Sequence, residues 1–242
     1  MIHKTRGIVL HTTRYGESSL VVHCYTEDYG RQSLMLKGVR KSRKQNRSNL
    51  FQPLFILDFE VYHKNTREMQ LVKEVTRAIP MNSIPYDITK STQAIFMAEV
   101  LYRVVKEQEP NPMLAHFLIS SIQYLDALEE PSADFHIIFL FQLSKYLGFY
   151  PQNNYGQIHK YFDLSSGLFK THVGDPEIYL DGALSKLWSR FIELDYQNVK
   201  EAGFNSVQRK VILEKLVRYY KLHVEGMGDI RSLVVLHDFF HN

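Results

Sequence analysis

Phe55-Ile56-Leu57-Asp58-Phe59-Glu60-Val61 reads as one β-strand. Phe55, Leu57, Phe59 and Val61 share one face, and Ile56, Asp58 and Glu60 share the other. A strand with one apolar face needs partners, and four more candidates fall within the first eighty residues. Leu20, Val22 and Cys24 alternate with Val21, His23 and Tyr25; Arg6–Thr12, Gln32–Val39 and Met69–Thr76 carry similar β-rich runs. Gly16, Asp28-Tyr29-Gly30 and Asn65-Thr66 sit between them, where turns need residues that tolerate positive φ. Five short strands at regular spacing predict a small closed barrel. An OB-fold and an SH3-like barrel both fit this pattern.

Beyond Pro80 the period changes. Pro80 and Pro85 bracket Met81-Asn82-Ser83-Ile84 and predict a linker, because proline ends regular pairing. Ala94, Ile95, Ala98, Leu101, Tyr102 and Val105 then recur at helical spacing until Glu109-Pro110-Asn111-Pro112. Met113–Leu128 and Asp134–Leu147 predict two further helices. The second is apolar on most sides and so central, with Gly148 as its stop. Lys160–Lys170 reads as a hairpin turning at Asp163–Gly167. Ala183–Leu194, Ser206–Val224, with Ser206 as its expected N-cap, and Ile230–Phe240 complete a helical region. The expected division is a barrel domain at 1–80 and a helical domain at 81–242, with a hairpin insertion near 155–172.

The chain has 242 residues, 45% hydrophobic and 23% charged, which suits a folded protein rather than a disordered one. A single cysteine, Cys24, excludes a disulfide framework and a cysteine-ligated zinc site. The first six residues lack the apolar core of a secretory signal, and the run Phe135–Phe141 is far too short for a membrane span. A soluble, cytoplasmic protein is expected.

The net charge of +3 conceals an uneven distribution. Residues 1–80 carry 14 Lys and Arg against 7 Asp and Glu, whereas the remainder carries 15 against 19. No acid lies between Asp28 and Asp58, and six cations, Lys37, Arg40, Lys41, Arg43, Lys44 and Arg47, fall within eleven residues. Such density repels itself unless a polyanion lies across it. Ser42, Gln45, Asn46 and Ser48 add hydrogen-bonding groups suited to phosphate. A solvated loop is the bland alternative, and a nucleic-acid backbone explains the pattern better.

Catalytic patterns are missing from the sequence. No Gly-rich loop precedes Lys-Ser/Thr, no His-Glu-x-x-His occurs, and the carboxylates are scattered. His237, Asp238 and His241 lie near the C-terminal end, where a helix end holds side chains too loosely for a metal. Cys24 sits mid-strand in an apolar run and reads as a packed thiol. A non-enzymatic protein without a cofactor or metal is expected. The binding candidates are Arg14-Tyr15 before Gly16 and Tyr29-Gly30-Arg31 at the next turn, each pairing a stacking ring with a cation. The competing reading makes those tyrosines plugs for the barrel ends.

At these residues the chain resembles a known family. Gly7-Ile8-Val9-Leu10, Tyr15-Gly16-Glu17-Ser18-Ser19-Leu20, Gly30-Arg31, Lys37-Gly38-Val39-Arg40-Lys41-Ser42 and Leu50-Phe51-Gln52-Pro53-Leu54 are similar to the N-terminal signature of the bacterial recombination mediator RecO family. Weaker similarity continues through Leu147-Gly148-Phe149-Tyr150-Pro151, Tyr219-Tyr220-Lys221-Leu222-His223 and Arg231-Ser232-Leu233. The resemblance implies a mixed α+β chain: a five-stranded OB-fold barrel followed by a mainly helical domain. It implies binding of single- and double-stranded DNA, strand annealing, contact with RecR and with the tail of single-strand-binding protein, and indirect service to RecA, in the cytoplasm at the nucleoid. Lys37, Arg40, Lys41 and Arg43 match the family's basic segment. Arg14, Tyr15 and Arg31 lie in its signature, and Lys44 and Arg47 extend the site on charge alone. Many members carry a four-cysteine zinc module after the Leu-Gly-Phe segment. Here the Lys160–Lys170 hairpin stands there without cysteine, so aromatic packing of Tyr161, Phe162, Leu168 and Phe169 has to hold it. An RNA-directed OB protein and a protein-interaction scaffold are the alternatives by class.

Overall fold

The computed structural model describes residues 1–39, 47–64, 66–199 and 203–241, with the side chains of Arg47 and His241 outside that description. Five strands close a barrel: β1 (Ile2–Tyr15), β2 (Ser19–Thr26), β3 (Gly30–Leu36), β4 (Ile56–Tyr62) and β5 (Met69–Arg77). Their order around the barrel is β1-β2-β3-β5-β4. β1 is long enough to pair β4 with its first half and β2 with its second, bending at an irregularity between Val9 and His11. β3 and β5 close the circuit in parallel. This is the architecture of an OB-type barrel, which resolves the SH3-like alternative.

Alternation fills the barrel. Leu57, Phe59 and Val61 on β4 are buried as the sequence predicts, and Cys24 on β2 is fully enclosed. Burial pushes the Cys24 thiol far above its ordinary pKa, so it is an inert packing group. Leu54 holds φ +64° in the turn before β4 although it is not glycine. Its side chain is fully buried and its N–H donates to the Val9 carbonyl at 2.8 Å, which together hold the strained residue in place.

The chain forms two compact units, Met1–Pro131 and Ser132–Asn242. The first joins the barrel to α1 (Ile88–Val104) and α2 (Pro112–Ala127). The expected linker proves to be pinned. Met81 and Ile84 are buried, and the Asp126 carboxylate accepts the N–H groups of Asn82, Ser83 and Ile84 at 2.8, 2.9 and 2.8 Å. Burial alone would raise the Asp126 pKa, but these amides and the Ser83 hydroxyl outweigh it and hold the carboxyl below its usual value.

Gly30 marks where the barrel meets the segment after α1. It has φ +58°, and a Cβ built there lies 2.4 Å from the Glu109 carbonyl oxygen and 2.6 Å from that of Glu107. The next N–H, of Arg31, donates to Glu107 at 2.8 Å. Gly30→Ala combines left-handed strain with a backbone collision, and we expect a loss on the order of 2 kcal/mol or more. A thermal midpoint within about 2 °C of the parent would contradict this.

The second unit is built around α3 (Phe135–Tyr146), whose Phe135–Phe141 run is buried throughout. Gly148 follows at φ +85° as its stop. β6 (Tyr161–Asp163) and β7 (Leu168–Lys170) form the hairpin, followed by α4 (Gly182–Ile192), α5 (Ser206–His223) and α6 (Ser232–His241). Phe162 and Phe169 pair across the hairpin and are buried, with Trp188 5.1 Å from the Phe162 ring. Tyr161 and Leu168 are only half-buried, so the two phenylalanines carry the packing. The Asp163 carboxylate accepts from the hydroxyls of Ser165 and Ser166 and so organises the turn. The N-cap of α5 is Asn205, not the expected Ser206. Its side chain accepts from the Gln208 N–H while Gln208 Oε1 accepts from the Asn205 N–H. Among the described residues, no helix is long and apolar enough to cross a membrane.

Candidate nucleic-acid interface

The strand register decides which basic residues meet. Arg14 pairs with Leu20, and Leu20 pairs with Leu36, so these three form one cross-strand row. One step further, Tyr15 pairs with Ser19 and Lys37 follows Leu36. Arg14, Tyr15 and Lys37 therefore share one end of the barrel, at the root of the basic segment. Arg14 and Lys37 are exposed and form no ion pair among the described residues. Tyr15 is 53% exposed beside Gly16, whose φ is +58°; a ring that plugged the barrel would be buried.

Arg40, Lys41, Arg43 and Lys44 lie outside the described residues. Arg47 opens a short 3-10 helix, Arg47–Leu50. The flanks of the segment are firmly held, since Val39, Phe51 and Leu54 are buried. A groove of about 190 Å³ between the end of β3 and β5 lies at this root, lined by Lys37, Val39, Phe51 and Lys73 among others. Lys73 is bound to Glu60 at 2.9 Å, which in turn meets Lys4 at 3.2 Å. These bonds from Lys73 and Lys4 depress the Glu60 pKa.

Arg31 is placed elsewhere. It pairs with Tyr25 at the far end of β3, six residues from Lys37 and roughly 20 Å away along a strand. Its guanidinium lies 4.3 Å from the centroid of the Tyr102 ring and donates to the Tyr102 carbonyl at 3.4 Å. His11 and His23 pack on the same ring, at 4.7 and 5.4 Å. Burial, reinforced by Arg31, pulls the His23 pKa to about 4 and lowers that of His11, so both rings pack as neutral groups at pH 7. Burial also lowers the Arg31 pKa. Arg31 thus binds the barrel to α1, and its geometry differs from that of the rim cations.

A groove of about 610 Å³ opens on the outer face of β1, β4 and β5. Glu27, Asp28, Asp58, Glu60 and Glu74 line it with only Lys4 and Arg6 as cations. Arg6 is bound to Asp58 at 2.9 Å, and that hydrogen bond raises its pKa. Such a surface disfavours a polyanion. Sequence reading also passed over Lys64 and Arg67, exposed cations of the β4–β5 loop. The buried side chain of Gln70 holds that loop, accepting from the Lys64 N–H at 2.9 Å and donating to the carbonyls of Lys64 and Arg67 at 3.0 and 2.7 Å. The only advance signal was two cations flanking an Asn-Thr turn.

Two family models cover most of the chain. Residues 1–79 match the N-terminal part of recombination protein O, and residues 85–233 match its C-terminal part. A protein of Flavobacterium psychrophilum named DNA repair protein RecO is 35% identical over 238 residues, covering 98% of each chain. Proteins of the same name from Bacteroides fragilis and Azobacteroides pseudotrichonymphae are 35% and 32% identical, covering 99% of this chain and 100% of theirs. With an OB-type barrel in front of the helices and this similarity along nearly its whole length, the chain belongs to the RecO family of DNA repair and recombination proteins.

Proposed function

We propose that this protein is a DNA-binding recombination mediator that acts without bond chemistry on its substrate. Its rim cations and the Lys37–Arg47 segment grip the sugar–phosphate backbone. Complementary strands repel each other through their phosphates, and a cationic surface that neutralises part of that charge lowers the cost of bringing them together. Coverage of the exposed Tyr15 ring by an unpaired base would add affinity for single strands. In this reading the protein anneals complementary strands and works with RecR to help load RecA onto DNA coated with single-strand-binding protein, in the cytoplasm. It engages single- and double-stranded DNA and the tail of single-strand-binding protein.

The observation that supports the reading most is the shared position of Arg14, Tyr15 and Lys37 at the root of an acid-free basic segment. The decisive experiment follows annealing of complementary oligonucleotides coated with single-strand-binding protein, with and without the full chain. We expect a clear acceleration that fades as salt rises, because counterion release drives the contact. Equal annealing rates at low salt would sink the proposal, and binding of acidic peptides without DNA binding would favour a scaffold.

A further inference from the structure

At the opposite end of the barrel from Arg14 and Lys37, two turns place aromatic rings against each other. Tyr29, in the β2–β3 turn, stacks on His63, just after β4, with centroids 4.1 Å apart and planes 20° from parallel. His3 stands edge-on to both, at 5.8 Å from His63 and 6.2 Å from Tyr29. All three side chains are half-buried, so the group is a surface feature supported from within. Hydrogen bonds support it on both sides. Tyr29 is set by main-chain bonds, its N–H donating to Thr26 Oγ1 at 3.2 Å and its carbonyl accepting from Gln32 Nε2 at 3.0 Å. The loop after His63 is held by Gln70 as described.

We infer that the Tyr29–His63 stack is a platform for an unpaired base of single-stranded DNA, a second contact separate from the cationic rim. Offset stacking on a preformed aromatic pair is available only to a base released from its own stack, so duplex DNA gains nothing there. Charge does not drive this contact. Exposed Lys64, Arg67 and Glu68 follow His63 in the chain, and exposed Asp28, which lines the acidic groove, precedes Tyr29. The inference rests on the reading of the chain as a DNA-binding protein and divides the labour within it. The rim cations supply sequence-blind backbone affinity for either form, and the platform adds to the single-strand preference that Tyr15 gives.

The test compares Tyr29→Ala, Tyr29→Phe and His63→Ala with the parent, using fluorescence anisotropy on an oligo-dT and on a duplex of equal length. The alanine at Tyr29 removes a ring but none of the main-chain bonds that shape its turn. We expect Tyr29→Ala to weaken oligo-dT binding roughly tenfold, from the worth of one base–aromatic stack. Duplex affinity and the salt slope should stay unchanged, because no phosphate contact is lost. Tyr29→Phe should bind like the parent, and His63→Ala should fall between. Unchanged oligo-dT affinity in Tyr29→Ala, or equal weakening for oligo-dT and duplex, overturns the platform while leaving the rim intact. A parent that binds neither DNA at low salt overturns the underlying reading and the platform together.

Discussion

Replacing Lys37, Arg40, Lys41 and Arg43 together by Gln is expected to lower affinity for single-stranded DNA by roughly a hundred- to a thousandfold near physiological salt. If about six basic residues of the rim and segment touch phosphate, each contributes about 0.7 to the slope of log K against log salt, giving about −4 for the parent. Removing four leaves about −1.4. The magnitude and the slope test different things: a lost fold would erase binding, whereas lost contacts flatten the slope in proportion. The fold should survive, because Lys37 is exposed and the buried anchors Val39, Phe51 and Leu54 are untouched. Titration in a salt series, with the thermal midpoint recorded alongside, reads both. Parent-like affinity and slope would move the DNA site off this segment.

The second large effect concerns Lys90, a cation with only 2% of its surface exposed. Its ammonium donates to Ser83 Oγ at 2.7 Å, to the Asp126 carbonyl at 3.2 Å and to the Leu128 carbonyl. The two carbonyls are at the C-terminal end of α2, where helix acceptors lack partners and the helix dipole is negative. The same Ser83 also donates to the Asp126 carbonyl, so one lysine unites α1, α2 and the 81–84 segment. Lys90→Met keeps the length of the side chain but takes the ammonium donor from the Leu128 carbonyl and one of the donors from Ser83 Oγ and the Asp126 carbonyl. We expect it to cost about 3 kcal/mol, the scale of several part-buried acceptors losing a charged donor. Urea denaturation of the full chain measures it. A loss under about 1 kcal/mol would show that water or rearrangement satisfies those carbonyls.

These effects came from opposite levels of legibility. The barrel was readable because a strand buried on one face writes a period of two into its side chains, as Leu57, Phe59 and Val61 show. The reading was less good at the second face. Val21 and Tyr25 are buried although they alternate with the interior residues Val22 and Cys24. The Tyr25 hydroxyl donates to the Asn111 carbonyl, 86 residues away, and no local pattern announces such a cover. Lys90 was invisible for the same reason. A lysine in a helix reads as solvated unless the acceptors that enclose it are known, and those come from α2.

The site divides likewise. Charge density needs no folding to be seen, so the Lys37–Arg47 segment was plain from composition. Which turn residues join it was a question of register. Pairing of Leu20 with both Arg14 and Leu36 brings Arg14 and Tyr15 to Lys37, while the pairing of Tyr25 with Arg31 carries that residue to the other end and onto Tyr102. The Tyr29–His63 stack joins residues 34 positions apart and has no linear signature at all.

The class of the protein is legible in the linear chain: five alternating segments, then helices, with cations crowded into one acid-free stretch and a family signature around it. Periodicity and charge are local properties, so they survive in an unfolded string. Folding settles which cations face solvent, which is committed to the barrel–helix contact, and where aromatic rings meet. Those outcomes depend on strand register and on what covers each face, and both are set by contacts between residues far apart in the chain.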